Sequence, residues 1–190
     1  EPFFPSDLEK PAAKARAYQF AQPFGVPVRY HDIESFSQAS NLDLVEIHLS
    51  YKDLEVDLDS VLPVRQPVGL VVHAPELFAG DHTLDLSSLD DDYRLHSIQE
   101  LQRVIDISAQ LRDRFDCENP VLLVTNVGGF SQNRHLTSHE LQPLRDRLIQ
   151  SLSQLNCANK VEVIPQTMPP FPWHFGGQRF HNLDRKSTRL

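Results

Sequence analysis

The run Val68-Gly69-Leu70-Val71-Val72 is apolar at every position up to His73. A strand with one wet face alternates apolar and polar residues, so a run without alternation suits a strand covered on both faces, as in a parallel sheet. Four further stretches, 26–30, 44–49, 121–125 and 161–164, also read as strands. Helical patterns separate them. Ser97 with Glu100 reads as a capping box opening a helix over 97–116, with Ile98, Leu101, Val104, Ile105, Leu111 and Phe115 as its stripe. Thr137 with Glu140 opens a second, over 138–155, striped by Leu141, Leu144, Leu148, Leu152 and Leu155. A short helix is expected over 33–39, and 74–95 reads as a long polar loop.

Strands alternating with amphipathic helices predict parallel pairing. The spacing is roughly 30 residues per unit, and eight such units need about 250 residues, the usual size of a (β/α)8 TIM barrel. A doubly wound sheet is the alternative, but no strand is followed by GxGxxG or a P-loop pattern. The fold class expected is therefore α/β, a partial barrel comprising the first five βα units over 25–183. Residues 1–24 carry Pro2, Pro5 and Pro11 with no apolar period and read as a linker or the end of a preceding domain. Residues 184–190 spell a common sequencing adapter (GAT CGG AAG AGC ACA CGT CTG) and are expected to be an artefact, which makes the rest a fragment. With three units missing, the first and fifth strands should then expose their edges.

Charge and cysteine usage narrow the function classes. The net charge of −8 becomes −10 without the adapter-like residues, which opposes a phosphate-tracking nucleic-acid surface. No stretch approaches the run of about 18 apolar residues expected of a membrane helix. Cys117 and Cys157 cannot make a disulfide framework, so a cytoplasmic location is expected. Both follow helices and precede strands, which places them away from the barrel mouth.

In a barrel the chemistry collects where strands end. Here His31-Asp32 follows the first strand, Glu46 and His48 lie in the second, and His73 and Glu76 end the third. Asn126 and Gly128-Gly129 follow the fourth strand, and Gln166-Thr167 the fifth. A single histidine at a strand end is usually a hydrogen-bonded structural residue. Several strand ends converging on one mouth are better explained as a site. Asp81, Asp85 and Asp90-Asp91-Asp92 read instead as loop solvation and helix N-terminal charge.

The string Val72-His73-Ala74-Pro75-Glu76 resembles the third-strand motif of the xylose-isomerase-like barrels, the sugar-phosphate isomerases, epimerases and endonuclease IV among them. The resemblance implies a divalent metal held by His73 and by residues of later strands. Asn126 and Gln166 place neutral amides where two further ligands are expected. A closer resemblance lies in 27–32 (Pro-Val-Arg-Tyr-His-Asp), 46–54 and 169–178. These are similar to the barrel fused behind bacterial sialic acid (nonulosonic acid) synthases, implying covalent fusion to a synthase-like domain and a role in surface-sugar biosynthesis.

Two functions fit. One is isomerisation or epimerisation of a sugar or sugar phosphate, with Glu46 or Glu76 as base, and His48 and His73 polarising the carbonyl or holding metal. Here His31, Asn126, Gln166, Trp173 and Arg179 would bind substrate, Arg179 with the Gly176-Gly177 turn taking a phosphate or carboxylate. The other is a non-catalytic sugar-binding or partner module, favoured by Asn126 and Gln166, whose amides bind hydroxyls but take no protons.

Overall fold

The computed structural model describes residues 21–39, 41–168 and 179–183. Its strands are β1 (Gly25–Val28), β2 (Leu44–His48), β3 (Gly69–His73), β4 (Leu77–Phe78), β5 (His82–Thr83), β6 (Val121–Thr125), β7 (Phe130–Gln132), β8 (Val161–Pro165) and β9 (Arg179–His181). Its α-helices are α1 (Ile33–Ala39), α2 (Leu58–Val61), α3 (Asp91–Arg112) and α4 (Ser138–Leu152). Five strands form one parallel sheet in the order β1-β2-β3-β6-β8. Each strand lies beside the next in chain order, with no reversal. A doubly wound sheet needs a switch point where the order turns back. The architecture is a partial TIM barrel.

Alternation along β2 separates the two faces of the sheet. Val45, Ile47 and Leu49 are buried on the helix side, in one core with Leu70, Val72, Val121 and Leu123 of the neighbouring strands. Leu101, Val104, Ile105 and Leu111 of α3 close that core with at most 1% of their surface exposed. Burying each such side chain stabilises by about 1.5–3 kcal/mol. On the other face, register sets Glu46 beside Val71 and His48 beside His73. That second face is only partly buried, and Leu122 on it is exposed.

Three elements differ from the sequence expectation. The first strand stops at Val28, and Tyr30 enters a 3-10 turn (Tyr30–Asp32) because the Asp32 carboxylate accepts from Arg29 N at 3.1 Å. The long helix starts at Asp91 rather than Ser97. Asp90 caps it by accepting from Tyr93 N at 3.0 Å, and Asp91 and Asp92 suit its positive N-terminal end. Ser97 is buried inside that helix, its hydroxyl accepting from Asp85 N and paired with His82. The supposed loop 74–95 therefore holds the β4–β5 pair and packs tightly. The Thr137–Glu140 capping box forms as expected, although α4 ends at Leu152.

Candidate functional site

At the C-terminal ends of β2 and β3 two histidines stand side by side. The His48 and His73 rings stack with centroids 4.6 Å apart and planes 17° from parallel. Each ring has a partner. His48 Nε2 lies 2.7 Å from Glu46 Oε1, two residues back on the same face of β2. His73 Nδ1 lies 3.0 Å from the Ala74 carbonyl oxygen and Nε2 2.9 Å from the Gln166 amide oxygen, and a neutral ring, with one N–H, donates to one of the two. Gln166 follows β8, and its backbone N–H donates to Thr125 O, which continues the ladder beyond the strand. The result is a chain Glu46–His48–His73–Gln166 running across the sheet end from β2 to β8.

The strand end beneath His48 is held from the β1 side. Arg29, just past β1, donates through Nη1 to the His48 carbonyl. The same guanidinium lies 3.7 Å from Asp53 Oδ2. That carboxylate also accepts from Ser50 N (2.6 Å) and Ser50 Oγ (2.7 Å), closing the 3-10 turn Tyr51–Glu55. Arg29, Asp53 and Ser50 thus fix where the His48 side chain starts.

Beside the histidines, Asn126 Nδ2 donates to Glu76 Oε1 at 2.6 Å. Asn126 is 5% exposed, and its Oδ1 is buried without a hydrogen-bond partner among the described residues. The sequence-selected residues Glu46, His48 and His73 with Gln166, and Glu76 with Asn126, therefore meet in two hydrogen-bonded groups at one end of the sheet.

Beside His73, the two positions where further metal ligands are expected carry the neutral amides of Asn126 and Gln166. Both His73 nitrogens face an oxygen, one of a carbonyl and one of a neutral amide. Among the described residues no three His, Cys, Asp or Glu side chains gather as a cation would need.

Other candidates lie elsewhere. His31 is 81% exposed at its side chain and lines a separate groove of about 370 Å³ with Tyr30, Ile33 and Val61. Arg179 stands on β9, its guanidinium carbon 5.4 Å from the Phe130 ring centroid, in a cavity that none of the mouth residues line. Trp173, Gly176 and Gly177 lie outside the described residues, as do 1–20 and 184–190.

The Asp85 reading needs correction. Far from being a solvated loop charge, it is largely buried, and burial pushes its carboxyl above the usual aspartate range against the pull of its hydrogen bonds and Arg179. Its Oδ1 accepts from Gly129 N (2.9 Å), Ser87 N (3.0 Å) and Ser87 Oγ (2.8 Å). Gly128 permits this approach: its φ is +83°, and a Cβ there would overlap the Asp85 carboxylate and Cα. The Gly128-Gly129 pair was the available sequence signal, but nothing local tied it to Asp85.

His82 was also hidden in the supposed loop. It is 7% exposed, hydrogen-bonded to Ser97 at 2.9 Å, and burial and then His96 lower its pKa.

No protein-family model and no curated protein matches the chain. Among solved structures it is similar to the crystal structure of a D-tagatose 3-epimerase-like protein, at 21% identity and a TM-score of 0.46. The match covers 82% of this chain and 55% of that one, so the chain spans about half that protein's length. No helix among the described residues is long and apolar enough to cross a membrane.

Proposed function

We propose that the chain acts on a sugar or sugar phosphate by proton transfer beside a carbonyl, the chemistry of an isomerase or epimerase. The observation that carries this reading is the Glu46–His48 pair, 2.7 Å apart, stacked on His73 at a sheet end. Glu46 is the base. With one carboxylate oxygen on His48, the other takes a proton from the carbon next to the carbonyl, and the electron pair left behind forms an enediolate. Return of that proton to the former carbonyl carbon, with the hydroxyl proton of the first carbon passing to the former carbonyl oxygen, gives the isomer. An epimer needs a different proton delivered to the opposite face by a second acid, the role Glu76 would take, while Glu46 keeps the first. The His48–His73 pair borders the developing oxyanion, and the Asn126 and Gln166 amides suit sugar hydroxyls. No step is routed through a metal, and zinc or manganese binding by these residues is expected to be weak.

The test is deuterium exchange from solvent into aldoses, ketoses and their phosphates, read by NMR. Exchange at the carbon beside the carbonyl should fall about 100-fold or more in Glu46→Gln, as loss of a general base does. Exchange untouched by Glu46→Gln and by His48→Asn sinks the assignment.

The alternative is a non-catalytic sugar-binding module, favoured by the two amides tied to His73 and Glu76. Binding of a sugar without exchange supports it. The finer context, attachment to a sialic acid synthase-like enzyme, rests on the strings 27–32, 46–54 and 169–178. It is tested by reading the same coding region beyond both ends.

A further inference from the structure

A second cavity, of about 340 Å³, lies between the stretch that follows β3 and the β7–β9 pair. It is lined by Asp85, Asp90, Tyr93, Phe130, Gln132 and Arg179, with two serines completing the wall, and by none of the mouth residues invoked above. Its size is at the lower end of small-molecule pockets.

The walls are fixed by the fold. Tyr93 donates its hydroxyl proton to Thr83 O (2.8 Å) and accepts from Thr83 N (3.1 Å), so the phenol is fully used and the ring stands as an apolar wall. Phe130 and Gln132 are two apart on β7 and share a face of that strand. Gln132 pairs directly with Arg179 across the β7–β9 ladder, which puts an amide and a guanidinium side by side. Asp85 also lines the cavity, and its hydrogen bonds from Gly129 and Ser87 all fall on Oδ1.

The charges decide the ligand class. Two carboxylates face one guanidinium, so a phosphate or other anion meets net repulsion, and an ammonium meets Arg179. Each charge also has work already: Asp90 caps α3, Asp85 holds Gly129, and the Arg179 charge acts on Asp85. A neutral ligand rich in hydroxyls satisfies both sides at once. Vicinal hydroxyls can accept from Gln132 and Arg179 and donate to the Asp85 carboxylate, while C–H groups lie on the aromatic walls.

We propose that this cavity is a second binding site, for an unphosphorylated sugar or similar neutral polyol, separate from the Glu46–His48–His73 row. It stands whether or not that row is catalytic.

Saturation-transfer NMR on the whole chain tests it, with D-glucose, D-fructose, glucose 6-phosphate and glycine betaine as probes. The neutral sugars should show transfer that the cavity variants below reduce, and any transfer to the phosphate or the betaine should be unmoved by those variants. Gln132→Ala and Arg179→Met, each checked for native circular dichroism, should raise the titrated dissociation constant about tenfold or more. Glu46→Gln should leave it unchanged. Absence of transfer to both neutral sugars overturns the proposal, as does transfer to a charged probe that the cavity variants remove. A constant unmoved by both cavity variants, or one raised by Glu46→Gln, places the sugar elsewhere and overturns it too.

Discussion

Replacing Asp85 by alanine and, separately, by asparagine divides its hydrogen-bonding role from the cost of its charge. Oδ1 holds two backbone donors, Gly129 N and Ser87 N, besides the Ser87 hydroxyl. Both residues are buried, so alanine strands two donors that water cannot reach. At about 1–3 kcal/mol for each stranded group, Asp85→Ala should cost about 2–6 kcal/mol. Asparagine keeps a carbonyl oxygen in that place and removes the buried charge, so Asp85→Asn should lie within about 1 kcal/mol of the parent. The pH dependence has a definite sign. Burial raises the folded carboxyl pKa above its unfolded value, so the folded chain holds this proton more tightly. The resulting stability is fully present below the unfolded pKa and is lost as pH rises through the folded one. Urea unfolding at several pH values reads both quantities, provided the slope m is unchanged. Parent stability should fall relative to Asp85→Asn as pH climbs from the ordinary aspartate range. If the two variants are equally damaged, or the parent gains on Asp85→Asn across that window, the carboxylate is not the buried acceptor described.

Three further outcomes follow from buried groups. The Tyr30 hydroxyl is buried with no hydrogen-bond partner among the described residues, so Tyr30→Phe should be neutral or stabilising by up to about 1 kcal/mol, and a loss larger than that by urea unfolding would reveal a bond. Burial, and then the Asp53 charge, push the Tyr30 hydroxyl above the usual tyrosine range, so phenolate absorbance should show one late-titrating tyrosine that this variant removes. Burial raises both cysteine thiols, so Cys117 and Cys157 should alkylate more slowly in the folded chain than in urea at one pH, and equal rates would show that they are open.

Much of the sheet was legible because its signals are local. Apolar runs and the two-residue alternation of β2 set which side chains enter the core, and Thr137 with Glu140 announced a real cap. The cap at Ser97 failed for an equally local reason. Asp90, with two more acids behind it, is a stronger start seven residues earlier, and it leaves Ser97 inside the helix to serve His82 and Asp85. The mouth residues could be chosen because parallel strands end on one side. Their pairing could not, since Glu76–Asn126 and His73–Gln166 join positions 50 and 93 residues apart. Asp85 was misread for the same reason. An aspartate among polar neighbours looks solvated until Gly128-Gly129, more than 40 residues on, folds against it. The β7–β9 pair was equally silent, because two three-residue strands carry too little pattern to be seen.

The connections between sheet and helices are of two unlike kinds. Returns to the sheet are short and bonded to it: Gly69 N donates to Asp43 O, Asp116 N to Val68 O, and Val121 N to Lys160 O. Excursions at the other rim are long enough to carry the β4–β5 and β7–β9 pairs. The fold therefore tolerates inserted residues on one rim only. Doubling an excursion costs about 0.6 kcal/mol of closure entropy and leaves every strand in register. One residue added to a strand through a bonded return would shift it by a single step, sending Val45 and Ile47 outward and Glu46 and His48 into the apolar core. Variation in length, and with it any change of ligand, has room to accumulate around the mouth while the opposite rim is held fixed.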